Sequence, residues 1–224
     1  MVKQKYIEVA VLNSKVNEYL NGKKWKGKSY DKNENLFSEI KNGCGLIREF
    51  EYKDVYEGEY LNGERTGKGK IYNWSNGNLE FEGEFLNGKR IGKGKEYNKD
   101  GNKVIFEGEY LNDKRNGKGK EYDNNKIIYE GEYLNGKRNG NGKEYFRNGK
   151  LKFEGEFKKG NQWNGKGYDI NGNFDYELIN GSGKMKEYNG NDILIKEGEY
   201  LNGVNYGEAK EYGNNGQLNL KGTI

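Results

Sequence analysis

The chain has 224 residues, with 39 basic side chains facing 35 acidic ones for a net charge of +4. There is no histidine, no proline and one cysteine, Cys44. These counts exclude an intramolecular disulfide framework, remove the commonest general base and zinc ligand, and leave too little unmatched positive charge for a nucleic-acid binder. Fewer than a fifth of the residues are Leu, Ile, Val or Phe, so the 19 Tyr, 9 Phe and 3 Trp must supply most of the buried surface. Aromatic rings bury about 150–250 Å² each, enough to hold an ordered protein with a thin core.

The first predicted element is Tyr6-Ile7-Glu8-Val9-Ala10-Val11-Leu12. It is too short and too charged for a signal peptide or a membrane span, and residues 1–15 read as a capping strand. From residue 16 one phrase recurs. Its cleanest form is Tyr129-Glu130-Gly131-Glu132-Tyr133-Leu134-Asn135-Gly136-Lys137-Arg138-Asn139-Gly140. The Glu-Gly-Glu core begins at Glu57, Glu82, Glu107, Glu130, Glu154 and Glu197. Degenerate copies fit at Val16-Asn17-Glu18-Tyr19, Phe37-Ser38-Glu39 and Asp175-Tyr176-Glu177. Unit starts then fall near 16, 37, 57, 82, 107, 130, 154, 175 and 197, with a partial repeat or cap at 219–224. A period of this size is the mark of one supersecondary unit stacked many times.

Each unit alternates with period two, the strand signal. Tyr129, Gly131 and Tyr133 share one face, while Glu130, Glu132 and Leu134 share the other. Leu134-Asn135-Gly136 supplies a tight hairpin turn, because Asn-Gly tolerates positive φ. A return strand follows around Gly140-Asn141-Gly142-Lys143-Glu144-Tyr145. Nothing sustains a 3.6-residue period. The expected fold is all-β: an antiparallel meander of about nine hairpin repeats over residues 16–218, forming an elongated ribbon. Glycines inside the strands leave room for neighbouring rings to lie down, and the opposite face carries cross-strand Glu–Lys pairs.

At these residues the chain resembles the MORN-repeat family, whose pattern runs Tyr-x-Gly-x-aromatic-x-x-Gly-x-x-x-Gly-x-Gly-x-aromatic. Tyr56 to Gly69 follows it position by position, as do the copies from Phe81, Phe106, Tyr129 and Phe153, the last with one extra residue before Gly165. The resemblance implies an elongated, single-layer, twisted antiparallel sheet with an aromatic groove, and scaffold or attachment roles with phospholipid, cytoskeletal or self-association partners. One departure stands out. Here the return strand reads Gly-x-Gly-Lys-Glu-Tyr, which puts Tyr97 and Tyr122 out of alternation with their glycines and predicts a bulge or a turned ring.

Three motifs invite chemistry. Gly22-Lys23-Lys24-Trp25-Lys26-Gly27-Lys28-Ser29 matches the P-loop pattern, but no helical period follows it, and a phosphate loop needs a helix N-terminus. Asp31-x-Asn33-x-Asn35 and Asp169-x-Asn171-x-Asn173 begin like calcium loops, yet lack the glycine and the bidentate glutamate. They read as polar turns. Carboxylates recur with the repeat, so no acid–base pair is singled out. The expectation is therefore no enzyme, cofactor or metal site.

Two surfaces remain as candidates. The ring face, Tyr56, Tyr60, Phe81, Phe85, Phe106, Tyr110, Tyr129, Tyr133, Phe153, Phe157 and Tyr200, is expected to present exposed aromatic surface to a protein partner or to a second copy, since contiguous apolar patches mark interaction sites. Unpaired end strands offer an end-to-end or antiparallel homodimer. The alternative is anionic phospholipid contact through Lys89, Arg90, Lys93, Lys114, Arg115, Lys118, Lys137 and Arg138. Either reading expects a cytoplasmic protein, peripheral at a membrane or the cytoskeleton in the second, that binds no nucleic acid.

Overall fold

The computed structural model describes residues 13–30, 33–51 and 54–223. The expected capping strand at 1–15 lies mostly outside them. The described residues hold strands and turns and no helix. The chain forms two compact units that part at Lys114–Arg115, inside the stretch expected as one tandem array.

In the first unit the strands are β1 (Asn13–Leu20), β2 (Lys23–Tyr30), β3 (Leu36–Lys41), β4 (Cys44–Glu51), β5 (Asp54–Leu61), β6 (Glu64–Asn73), β7 (Leu79–Leu86), β8 (Lys89–Tyr97) and β9 (Val104–Leu111). From β1 to β9 each strand pairs antiparallel with the next, which is a meander. In the second unit, β10 (Lys114–Asp123), β11 (Lys126–Leu134), β12 (Lys137–Tyr145), β13 (Leu151–Lys158), β14 (Asn161–Tyr168) and β15 (Phe174–Leu178) continue the same order. A separate four-stranded meander follows, built from β16 (Gly183–Tyr188), β17 (Leu194–Leu201), β18 (Val204–Tyr212) and β19 (Leu218–Thr223).

The Asn-Gly turns take the left-handed conformation at both central residues, as at Asn87 (φ 50°) and Gly88 (φ 80°) and at Asn135 (φ 52°) and Gly136 (φ 85°). That is the turn whose twist suits a two-residue hairpin. Each turn is also tied to the hairpin before it. Gly88 N–H donates to the Arg65 carbonyl at 3.0 Å, Gly136 N–H to the Arg115 carbonyl at 2.8 Å, and Gly160 N–H to the Arg138 carbonyl at 2.9 Å. The turn glycine thus serves both hairpin closure and stacking.

The strand glycines have the cause the sequence implied. Gly131 and Gly142 face each other across β11 and β12, and the Tyr129 ring lies over both. A Cβ at either position would fall 2.5 Å from the Tyr129 hydroxyl oxygen. Phe81 lies over Gly83 and Gly94 in the same way, with its Cζ at 2.7 and 2.6 Å from the two built Cβ positions. The displaced tyrosines also have their explanation. Glu121 pairs with Tyr129 and Tyr122 with Ile127, leaving Ile128 as an extra residue. The same irregularity recurs between Glu96 and Tyr97 and between Glu144 and Tyr145. A bulge of this kind re-aims the side chain beside it.

Candidate functional site

The two faces of each hairpin carry different chemistry. On one face the rings interlock edge to face, the arrangement that ring quadrupoles favour. In the first unit Tyr60 meets Tyr56 at 5.8 Å, Tyr56 meets Phe85 at 5.1 Å, Phe85 meets Phe81 at 5.7 Å, and Phe81 meets Tyr110 at 5.2 Å. Phe106 meets Tyr110 at 5.7 Å. In the second unit Tyr133, Tyr129, Phe157 and Phe153 repeat it with centroids 5.1–5.5 Å apart.

These rings are not an open groove. Tyr56, Tyr60, Phe81, Phe85, Phe106, Tyr110, Tyr129, Tyr133, Phe153, Phe157 and Tyr200 are all between 0 and 8% exposed. The expectation of exposed aromatic surface is corrected on this point, because the face has a polar cover that a count of apolar residues overlooks. Arg65 stacks over Tyr56 at 4.3 Å, Arg138 over Tyr129 at 4.2 Å, and Arg90 over Phe81 and Tyr110 at 5.1 and 5.4 Å. A guanidinium on a ring face is attracted to it and shields it from water.

Carboxylates complete this cover. The Tyr110 hydroxyl donates to Glu96 at 2.6 Å and the Tyr133 hydroxyl to Glu121 at 2.7 Å; Tyr60 donates to Glu49 and Tyr200 to Glu187. Arg138 bridges Glu121 at 2.5 Å and Glu144 at 3.2 Å, and Lys152 reaches Glu144 at 3.5 Å. Burial opposes the charge on Glu121, but the hydrogen bond and charge of Arg138 outweigh it and hold the carboxyl below its ordinary value. Glu144 is likewise depressed: desolvation is outweighed by Lys152 and Arg138. Burial pushes the Tyr129 phenol up to about 12. These glutamates were not among the expected site residues. Their signal was in the sequence: in Gly-x-Gly-Lys-Glu-Tyr the Glu, not the Tyr, alternates with the glycines.

The opposite face is a ladder of charge. Lys120 meets Glu130 at 3.3 Å, Lys95 meets Glu107 at 3.5 Å, and Lys143 meets Glu154 at 3.7 Å. The bulged tyrosines join it. Tyr97 donates to Glu82 at 2.6 Å, Tyr145 to Glu130 at 2.7 Å, Tyr168 to Glu154 at 2.9 Å and Tyr212 to Glu197 at 2.9 Å. Beside the turns on this face, Leu61, Leu86 and Leu111 in the first unit and Leu134 and Leu201 in the second stand about half exposed.

The eight basic candidates divide. Lys89, Lys93, Lys114, Lys118 and Lys137 are exposed. The arginines are turned inward: Arg90 also bonds Asp113, Arg115 reaches Glu121 at 3.5 Å, and Arg138 holds its two glutamates. Of the eight basic candidates only the lysines are thus free to face outward, since rings and carboxylates claim the guanidinium groups.

The lures resolve as structure. Residues 23–29 of the P-loop match lie in β2, Lys28 pairs with Glu39 at 3.6 Å, and buried Ser29 bonds Ser38. Asp169 folds a turn around itself, accepting from the backbone N–H of Asn171 at 2.9 Å and of Asn173 at 2.8 Å. Asp31 lies outside the described residues. Cys44 is exposed between its two glycines.

Stacked Asn-Gly hairpins, paired glycines under rings and bulged tyrosines define an antiparallel hairpin-repeat protein. The model of the MORN repeat family matches residues 56–79, 81–103, 106–126 and 129–150, so the chain carries four MORN repeats in tandem. No curated protein sequence matches the chain. The repeats suggest a repeat-based binding or scaffold role, and the family is in general non-enzymatic.

Proposed function

We propose that this chain is a non-enzymatic scaffold that engages a protein partner or a second copy of itself through the leucine edge of its hairpins. The observation that carries the reading is the half-exposed leucine beside successive turns, at Leu61, Leu86 and Leu111 and again at Leu134 and Leu201, on hairpins whose ring face, from Tyr56 to Phe157, is buried. A repeated apolar group at fixed register offers several weak contacts that add by avidity. Sedimentation velocity over about a hundredfold concentration range tests self-association. Leu86→Ser with Leu111→Ser should abolish any dimer, and crosslinking of a partner in native cells should fall with the same pair. Undiminished association in that variant refutes the leucine edge.

A second reading has its own support. Leu86 stands opposite Lys89 and Leu134 opposite Lys137 in register, and an apolar tip beside an ammonium suits an anionic phospholipid surface at about 1 kcal/mol per lysine. Co-sedimentation with phosphatidylserine vesicles at low salt, lost in Lys89→Glu with Lys93→Glu, would support it. No sedimentation at low salt removes it.

A further inference from the structure

The hairpins differ in what stands beside the exposed leucine. Counted from the turn, three positions of the return strand lie on the leucine side. In β8 they are Lys89, Ile91 and Lys93, in β10 Lys114, Asn116 and Lys118, and in β12 Lys137, Asn139 and Asn141. In β18 they are Val204, Tyr206 and Glu208. Two positions that hold lysine in β8 and β10 thus hold a valine and a glutamate, with a tyrosine between them.

These side chains face solvent. Val204, Tyr206 and Glu208 alternate along β18 with Asn205 and the buried Ala209, and Val204 and Tyr206 are 68 and 63% exposed. Val204 lies opposite Leu201 in register. The preceding turn adds a further apolar group. Gly203 N–H donates to the Gly181 carbonyl at 2.8 Å and Asn202 N–H to Ser182 Oγ at 3.2 Å, which holds the Ile179–Ser182 turn against the Leu201–Val204 turn. Ile179, at the position that Leu134 has in its hairpin, is 65% exposed. Ile179, Leu201, Val204 and Tyr206 therefore form an apolar patch where other hairpins set a leucine beside lysine. Contiguous exposed apolar surface marks an interaction site.

The chain itself carries a surface that fits this patch. In the first unit Leu86 and Leu111 stand half exposed, with exposed Lys89 and Lys114 across their turns, and Asp113 N–H ties the second turn to the Arg90 carbonyl at 3.1 Å. Both surfaces offer apolar side chains. One adds ammonium groups; the other has Val204 in their place and adds exposed Glu208, which stands opposite Thr223 in register. The glutamate beside the bulge glycine and the lysine opposite it, Glu84 with Lys68 and Glu199 with Lys184, are common to both and do not separate them. Docking two lysine-bearing turns on each other would set like charges face to face, whereas unlike faces bring ammonium to carboxylate. We propose, resting on the leucine-edge reading, that the partner is a second copy of this chain. The patch of Ile179, Leu201, Val204 and Tyr206 on one copy docks on Leu86 and Leu111 of another, with Glu208 toward Lys89 and Lys114. Such a contact is heterologous.

The test is sedimentation velocity of the full chain over about a hundredfold concentration range. Four samples are compared: the unmodified chain, Leu86→Ser with Leu111→Ser, Val204→Lys with Tyr206→Asn, and an equimolar mixture of the two double variants. The second pair places at exposed positions the residue types that β10 carries there, so the circular dichroism spectrum should be unchanged. The unmodified chain should associate, and each double variant should be weaker by about tenfold or more. The mixture should regain association as a one-to-one complex, because each variant keeps the face that the other has lost. Glu208→Lys should weaken association about threefold, as should a rise in salt, and it decides the matter if the double variant does not fold. An unmodified chain that stays monomeric, or a mixture no stronger than its components, overturns the proposal. Undiminished association in both Val204→Lys with Tyr206→Asn and Glu208→Lys also overturns it, and a loss confined to the leucine variant would then leave the leucine edge standing with a symmetric contact. Undiminished association in the leucine variant removes both readings.

Discussion

Gly142→Ala isolates the device on which each repeat is built. The added Cβ would sit 2.5 Å from the Tyr129 hydroxyl oxygen and 2.8 Å from its Cε2 and Cζ. Tyr129 is fully buried, against Tyr133 at 5.5 Å, Phe157 at 5.1 Å and Arg138 at 4.2 Å, so its ring cannot move alone. Overpacking of this kind costs about 1–3 kcal/mol. Alanine in a strand otherwise gains about 0.5–1 kcal/mol over glycine. The net expectation is a loss of about 1–2 kcal/mol, or roughly 2–8 °C in melting temperature for a chain of this size. Repeat proteins can unfold in parts, so native-state hydrogen exchange across β11–β13 should accompany urea denaturation. Gly190→Ala is the control: its φ is not positive and the nearest atom, Arg147 Nη2, lies 4.0 Å away, so it should be neutral or slightly stabilising. In a Tyr129→Ala background, Gly142→Ala should lose its cost, a coupling of about 2 kcal/mol. If Gly142→Ala is neutral alone, or costs the same in both backgrounds, the ring-over-glycine argument fails. The chain offers its own precedent. In the last hairpin Ala209 holds the Gly142 position, and Lys196 stands where the ring would be.

Arg138→Met should cost about 1–3 kcal/mol by urea denaturation, because it leaves Glu121 and Glu144 short of a partner and uncovers Tyr129. Acid should act through the same carboxylates. Glu121 and Glu144 are depressed in the fold, so their contribution is fully present above the ordinary value of 4.5 and is lost as pH falls through their lower folded values. A urea midpoint that stays flat from pH 5 to about pH 3 would contradict this. Base should act through the phenols. With Tyr129 raised from 10.0 to about 12, stability is fully present below pH 10 and is lost as pH rises toward about 12, readable as coincident phenolate absorbance and circular dichroism changes. Asn135→Ala, at φ 52°, should cost about 1–2 kcal/mol because a side chain other than Asn resists the left-handed region.

Much of this was legible in the residues. The Glu-Gly-Glu interval and the Asn-Gly turns gave hairpins in chain order, and the misplaced Tyr97 and Tyr122 gave the bulge. The strand glycines pointed to rings lying over them. Burial was harder to read. A single layer of strands cannot by itself cover Tyr56 or Tyr129; Arg65 and Arg138 do so, and they look like surface charge until the ring and Glu49, or the ring with Glu121 and Glu144, are placed beside them. The guanidinium has two roles, and sequence alternation shows neither. The break at β15 and β16 was present as a degenerate copy with Tyr176 and Met185 in glycine positions. Its consequence, Tyr188 packed edge to face on Phe146 at 5.1 Å, joins residues 42 apart in the chain and shows only in three dimensions.

The most direct measurement is the proton NMR spectrum of Gly131 and Gly142. If each ring lies flat across its glycine pair, the Hα protons of both residues shift strongly upfield through the Tyr129 ring current and show cross-peaks to its ring protons. Hα shifts at ordinary strand values, with no contact to Tyr129, would contradict the account.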